Sequence, residues 1–236
     1  MTLTLNVKPP PDRLYGRARG HKLRPRQERL LDLTLPRLTF PLTAAENPAA
    51  AFAAPVTEIW LEIGFGGGEH AIAQSRAHPQ AGLFACEVFK NGICSILSHL
   101  LPEGDEATSP IPGNLRLFTD DARILLRALP EASLTKIFLL FPDPWPKTRH
   151  TKRRFVHPEQ ISLLARALRP GGEWWVASDD PTYQAWVQEV MAGQTLFTTA
   201  FPALTRPDNW PSTRYEAKAL RAGRAPRYWS FTRRAD

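Results

Sequence analysis

Short apolar runs alternate with amphipathic stretches of helical period from Glu58 to Ala177, and that rhythm admits few folds. Glu58 to Ile63 reads as a strand, with a helix from about Glu69. Gly82 to Cys86 reads as the second strand, followed by a helix through Ile93, Ile96, Leu97 and Leu100. Leu115 to Phe118 makes a third, with a helix through Ile124, Leu125 and Leu129. Lys136 to Phe141 is the fourth, then a helix from about Pro158 to Leu168, and Gly172 to Ala177 is the fifth. Strand, helix and strand in repeated succession give parallel neighbours joined by right-handed crossovers, so an α/β, doubly wound, mostly parallel sheet is predicted. Past Tyr183 the pattern gives a helix, then Thr195 to Phe201 and Arg227 to Thr232 as late strands.

At 236 residues the chain suits one such domain with some decoration. We divide it into a basic arm and connecting segment, residues 1–55, and a Rossmann-like domain, residues 56–236. The arm carries Arg13, Arg17, Arg19, Lys22, Arg24, Arg26 and Arg29, with Glu28 the only acid among them. Such a segment is either a solvated tail or an RNA-binding arm that orders on contact. Ala44 to Pro55 and Pro102 to Gly113, rich in small residues and proline, read as surface connections.

The formal net charge of +7 favours an anionic partner such as nucleic acid. Cys86 and Cys94 fall in apolar segments and form no metal-ligand cluster, so they read as reduced core residues of a cytoplasmic protein. No apolar stretch approaches the roughly 20 residues that span a bilayer, and no signal peptide opens the chain. No membrane, metal or obligate protein partner is expected.

Chemistry concentrates at the ends of the predicted strands. Leu61-Glu62-Ile63-Gly64-Phe65-Gly66-Gly67-Gly68-Glu69 closes the first strand and opens the first helix, with glycines where the backbone turns sharply and meets a ligand closely. Glu69 stands where a dinucleotide fingerprint needs its third glycine, and its carboxylate would repel a pyrophosphate at the helix N-terminus. A cationic donor without phosphates, S-adenosylmethionine, tolerates acids here. Glu62 would meet its amino-acid end, through the turn or a water. Glu87 would accept from both ribose hydroxyls. Asp121, with Asp120 as a rival, would accept from the adenine amino group.

The fourth strand runs into Phe141-Pro142-Asp143-Pro144-Trp145-Pro146-Lys147, where two prolines stiffen the chain on either side of Asp143. The cations Arg149, Lys152, Arg153 and Arg154 follow and suit phosphates. Read blandly, the heptapeptide is a proline-rich turn and Glu87 a solvated strand-end acid. Acids at the ends of four successive strands are harder to explain that way. His150 and His157 show no metal-ligand pattern and read as surface or helix-start residues.

Together these motifs, with Thr213-Arg214-Tyr215-Glu216 and the N-terminal Tyr15-Gly16-Arg17 and Leu23-Arg24-Pro25-Arg26-Gln27, resemble the bacterial tRNA (guanine-N7)-methyltransferases along nearly the whole chain. The resemblance implies a class I S-adenosylmethionine-dependent fold, Rossmann-like, with an antiparallel late strand. It implies methylation of N7 of guanine 46 in the tRNA variable loop. It assigns Glu62, Gly64, Gly66, Glu87, Asp121 and Asp143 to the donor and catalysis to Asp143. Lys147, Asp179, Thr213, Arg214, Tyr215 and Glu216 fall to the substrate, and Arg149, Lys152, Arg153 and Arg154 to the RNA backbone. Asp180 competes with Asp179 for its role.

Guanine N7 has a free lone pair and needs no general base, so Asp143 would stabilise developing positive charge. Glu216 is the candidate acceptor for guanine N1–H and its 2-amino group; blandly, it is a surface acid paired with Arg214 or Lys218. Trp145 would either stack on an extruded base or pack under its loop. Competing functions are methylation of an exocyclic amine of another nucleic acid and catalytically idle RNA binding.

Overall fold

The computed structural model describes residues 20–200 and 202–235. Tyr15, Gly16, Arg13, Arg17 and Arg19 of the basic arm, and Phe201 of the late-strand pattern, lie outside these. Seven strands, β1 (Glu58–Ile63), β2 (Ala81–Cys86), β3 (Leu115–Phe118), β4 (Leu134–Leu140), β5 (Leu168–Ser178), β6 (Phe197–Thr199) and β7 (Arg227–Arg233), form one sheet in the order β3-β2-β1-β4-β5-β7-β6. The first five pair in parallel, and β7 runs antiparallel to both β5 and β6. From β1 the chain winds outward through β2 and β3, then returns to β4 on the other side. Between β1 and β4 the crossovers diverge, which opens a crevice at the strands' carboxyl ends.

Helices α1 (Pro25–Arg29) and α2 (Leu35–Leu38) precede the sheet and are joined by a π-helical turn, Leu30–Thr34. Then follow α3 (Glu69–Ala77), α4 (Lys90–Leu100), α5 (Ala122–Ala128), α6 (Pro158–Ala167), α7 (Pro181–Ala192) and α8 (Arg214–Arg221). Successive side chains of a strand point to opposite faces. Ile59, Leu61 and Ile63 of β1 therefore join one core with Leu125, Leu164 and Val187, from α5, α6 and α7. Trp60 joins the other, with Ile72 of α3 and Ile96 of α4. Both faces are covered, which is why the strands read as near-continuous apolar runs. Trp174 and Trp229 are fully buried; truncating such a residue to alanine costs about 3–5 kcal/mol.

Part of the basic segment is docked. Leu30, Thr34 and Leu38 are buried, and Phe40 N–H donates to Leu117 O of β3 at 2.8 Å. Arg26 donates to Leu101 O (2.8 Å) and Arg37 to Ser109 O (2.7 Å). Arg29 pairs with Glu106 at 3.4 Å, and Thr34 Oγ1 donates to Glu106 O at 2.6 Å. The segment and the 102–113 connection, separate in the sequence pattern, thus hold each other down.

Candidate functional site

The crevice holds a cavity of about 590 Å³. Its walls include Gly64 and Gly66 of the first turn, Glu87 beyond β2, Asp121 beyond β3, Asp143 beyond β4, and Tyr215 of α8. Gly64, Gly66 and Gly68 have φ of +73°, +58° and +86°, left-handed values that penalise any residue with a Cβ. A Cβ on Gly64 would meet nothing within 4 Å, so its backbone is open to a ligand. On Gly66 it would lie 2.6 Å from Tyr215 Cε2.

Glu87 ties the turn to the next strand. Its Oε2 accepts from Gly66 N–H (2.8 Å), and Oε1 accepts from Val88 N–H (2.8 Å) and Phe89 N–H (3.0 Å). Burial raises its carboxyl above the ordinary glutamate value; the three N–H bonds oppose that, and the Asp143 charge adds to it. An acid in such a place favours a ligand that brings donors or positive charge.

Asp121 caps α5, accepting from Arg123 N–H (3.0 Å), and both its oxygens also meet the Arg123 guanidinium. Its rival Asp120 is exposed, with one oxygen accepting from Asp121 N–H at 2.7 Å. Asp143 is exposed at the mouth. Phe141 and Trp145 on either side take φ of +53° and +44°, conformations that cost on the order of 1–3 kcal/mol each and persist only where the surroundings impose them.

Lys147, Arg149 and Lys152 form an exposed basic ridge beside this loop. Partial desolvation, with Arg153, Arg149 and Lys147 close by, lowers the His150 imidazole below its ordinary value. The Arg153 guanidinium lies 4.8 Å over the Trp145 ring, which is half-buried. His157 caps α6, its Nδ1 accepting from Glu159 N–H at 3.4 Å.

Other expected site residues are engaged within the protein. Glu62 is 2% exposed and is not on the cavity wall; His70 Nδ1 lies 2.8 Å from its Oε2, among the rings of Phe138 and Trp210. Arg154 lines the cavity but is 5% exposed, and its guanidinium donates to Pro144 O and Trp145 O. Of the two candidate aspartates, Asp180 caps α7 by accepting from Tyr183 N–H (2.9 Å), while Asp179 pairs with Arg224.

Thr213 caps α8, accepting from Glu216 N–H at 3.1 Å. Glu216 is 4% exposed; its carboxylate accepts from Arg206 (2.6 Å) and Tyr228 Oη (2.7 Å), not from Arg214 or Lys218. Arg214 lies 5.4 Å over the Tyr215 ring. Arg123, Arg206 and Tyr228 were not singled out by sequence. Only Arg123 had a signal, its place two residues beyond a capping aspartate.

Among the described residues no helix is long and apolar enough to cross a membrane, and no cluster of three or more His, Cys, Asp or Glu could hold a metal.

Residues 56–227 match a family profile described as "Putative methyltransferase". A tRNA (guanine-N(7)-)-methyltransferase of Granulibacter bethesdensis is 62% identical, over 98% of this chain and 99% of that one. Another, of Paramagnetospirillum magneticum, is 44% identical over 94% and 93%. Among solved structures, the 16S rRNA methyltransferase KamB superposes with a TM-score of 0.61 at 16% identity, over 86% of this chain and 99% of that one. A 16S rRNA (adenine(1408)-N(1))-methyltransferase from Catenulisporales acidiphilia gives 0.56 at 15% identity, over 84% and 94%. These two likenesses concern the fold alone.

Proposed function

The chain belongs to the tRNA (guanine-N(7)-)-methyltransferase family, and from that membership we propose that it methylates N7 of guanine 46 in the tRNA variable loop, with S-adenosylmethionine as donor. Its fold is that of the class I S-adenosylmethionine-dependent methyltransferases. The observation that carries the donor assignment is the convergence of Glu87, Asp121 and Asp143 on one cavity beside the open face of Gly64. A volume of about 590 Å³ suits a nucleoside-sized ligand, and the acids beside the glycine turn suit a cation, while Arg123, Lys152, Arg153 and Arg154 line the same cavity.

In this assignment Glu87 accepts from the ribose hydroxyls and Asp121 from the adenine amino group, while Gly64 and Gly66 allow the backbone to come close. Glu62, paired with His70 behind the turn, acts on the donor through the turn. S-adenosylmethionine supplies a methyl group on a positively charged sulfur. The acceptor nitrogen carries no proton, so no side chain need remove one. Asp143 stabilises the positive charge that develops on the purine. Lys147, Arg149, Lys152 and Arg153 face the RNA, and Tyr215 and Arg214, with Asp179 and Thr213 nearby in the same role, border the substrate. Glu216 serves the substrate indirectly, by holding α8. We assign the protein to the cytoplasm, with tRNA as its partner.

The test is to incubate the protein with labelled donor and unmodified tRNA, then locate the methyl group by nucleoside analysis. Label in 7-methylguanosine at the variable loop is expected; label on an exocyclic amine overturns the assignment. Asp143→Ala should bind tRNA and lose ~10²–10³ of turnover, and full activity in that variant removes Asp143 from the reaction.

A further inference from the structure

Arg154 differs from the cations around it. Lys147, Arg149 and Lys152 are exposed, whereas Arg154 turns inward. Its Nε donates to Pro144 O at 3.0 Å and its terminal nitrogen to Trp145 O at 3.1 Å, while the guanidinium plane lies 5.0 Å over the Trp186 ring of α7. These two carbonyls belong to the residues directly after Asp143. They sit in a segment that turns through left-handed backbone at Phe141 and again at Trp145. A chain held in two such conformations relaxes unless something fixes it.

A second tie comes from the same helix. Trp186 Nε1 donates to Val156 O (2.5 Å), and Val156 N–H donates to Tyr183 Oη (3.3 Å). The stretch that carries Arg154 is thus anchored to α7, and Arg154 passes that anchorage to the loop. Arginine suits this task because its planar fork can serve two carbonyls while stacking on a ring, which an ammonium cannot do.

We propose that Arg154 is a positioning residue: it fixes the Asp143 carboxylate at the cavity mouth by bridging α7 to the backbone behind it, and it makes no phosphate contact. This rests on the assignment of Asp143 to the reacting centre, and the experiment separates the two.

Arg154→Lys, Arg154→Gln, Asp143→Asn and Arg149→Ala are compared with the parent in steady-state kinetics, and tRNA binding is measured across a salt series. Arg154→Lys keeps the charge and serves if Arg154→Gln fails to fold. Its kcat should fall about 10²-fold, as expected for misplacement of a reacting group by about 1 Å. KM for donor and tRNA should stay within about twofold, and the salt slope should match the parent, whereas Arg149→Ala should lower the slope by about 0.7–0.9.

Parental kcat in Arg154→Lys overturns the brace, and so does a salt slope lowered as in Arg149→Ala. If Asp143→Asn is inactive while Arg154→Lys is fully active, the brace alone fails. If both variants are fully active, the Asp143 assignment fails and takes the brace with it.

Discussion

Glu216→Gln separates two roles for one acid. The sequence motif offers Glu216 to the guanine edge, but the structure buries its carboxylate between Arg206 and Tyr228. A glutamine keeps one acceptor oxygen and puts an amide N–H₂ where the second carboxylate oxygen met a donor. Hydrogen bonds to a charged group contribute about 1.5–3 kcal/mol, and breaking a fully buried pair costs about 3–5 kcal/mol. The Arg206 side chain is 32% exposed and can rehydrate, which brings the loss down to about 1–3 kcal/mol. For a chain of this size that lowers Tm by about 2–12 °C. Thermal unfolding measures it. Tyr228→Phe, which removes one of the two donors and leaves Arg206, should cost less, and the double variant less than the sum. Activity should fall with stability because α8 carries Tyr215 to the cavity, while preference for guanine over adenine in competition between two tRNAs should persist. A variant as stable as the parent that has lost its guanine preference would refute this and restore Glu216 as the base reader.

Gly66→Ala should lose about 1–2 kcal/mol from left-handed backbone, seen in denaturant unfolding, and weaken donor binding by driving Tyr215 from the cavity wall. Adding Tyr215→Ala relieves the contact but not the backbone cost, so parental donor affinity in Gly66→Ala alone would contradict the packing. Glu87 gives the pH dependence: its folded value lies above the ordinary one, so donor affinity should be full at higher pH and fall as pH drops through that raised value. The sign for stability is opposite to the usual carboxylate. The contribution of Glu87 is greatest below its unfolded value and declines as pH rises through its folded one. Glu87→Gln should flatten the donor titration seen by calorimetry, and an unchanged acid limb would exclude Glu87 as its source.

The sheet was legible because a strand buried on both faces must be apolar along its length, and the intervening helices must show one apolar face. Glu58–Ile63 and Leu115–Phe118 appear where the pattern puts them. Helix α8 was not foreseen, since Arg214 to Arg221 is mostly polar; its capping pattern, Thr213 followed three residues later by Glu216, was visible as a motif but was read for function. Residues 25–38 were missed for another reason. Their charges imply solvent, and only the tertiary structure reveals Glu106 and the carbonyls of the 101–109 stretch waiting for them. Glu87, Asp121 and Asp143 could be grouped in advance because strand ends converge in this topology. Glu62 could not be separated from them, because which face of β1 its side chain takes depends on register, and His70 lies on that face.

The arginines show why net charge points to a class of partner and not to a footprint. Arg166 donates to Leu126 O (2.6 Å) and Leu129 O (2.9 Å) near the end of α5, where helix carbonyls lack partners. Arg206 donates to Trp210 O, Arg233 to Ala165 O and Arg154 to two loop carbonyls. In each case a guanidinium donates to backbone oxygen, and Arg206 also pairs with the Glu216 carboxylate while Arg154 stacks on Trp186. Such residues add to the formal +7 while they also hold the fold together. Lys147, Arg149 and Lys152, by contrast, are exposed together directly beyond the loop that holds Asp143. Asp143 and this ridge are consecutive in the chain, so whatever fixes the loop also fixes the ridge relative to the mouth of the cavity.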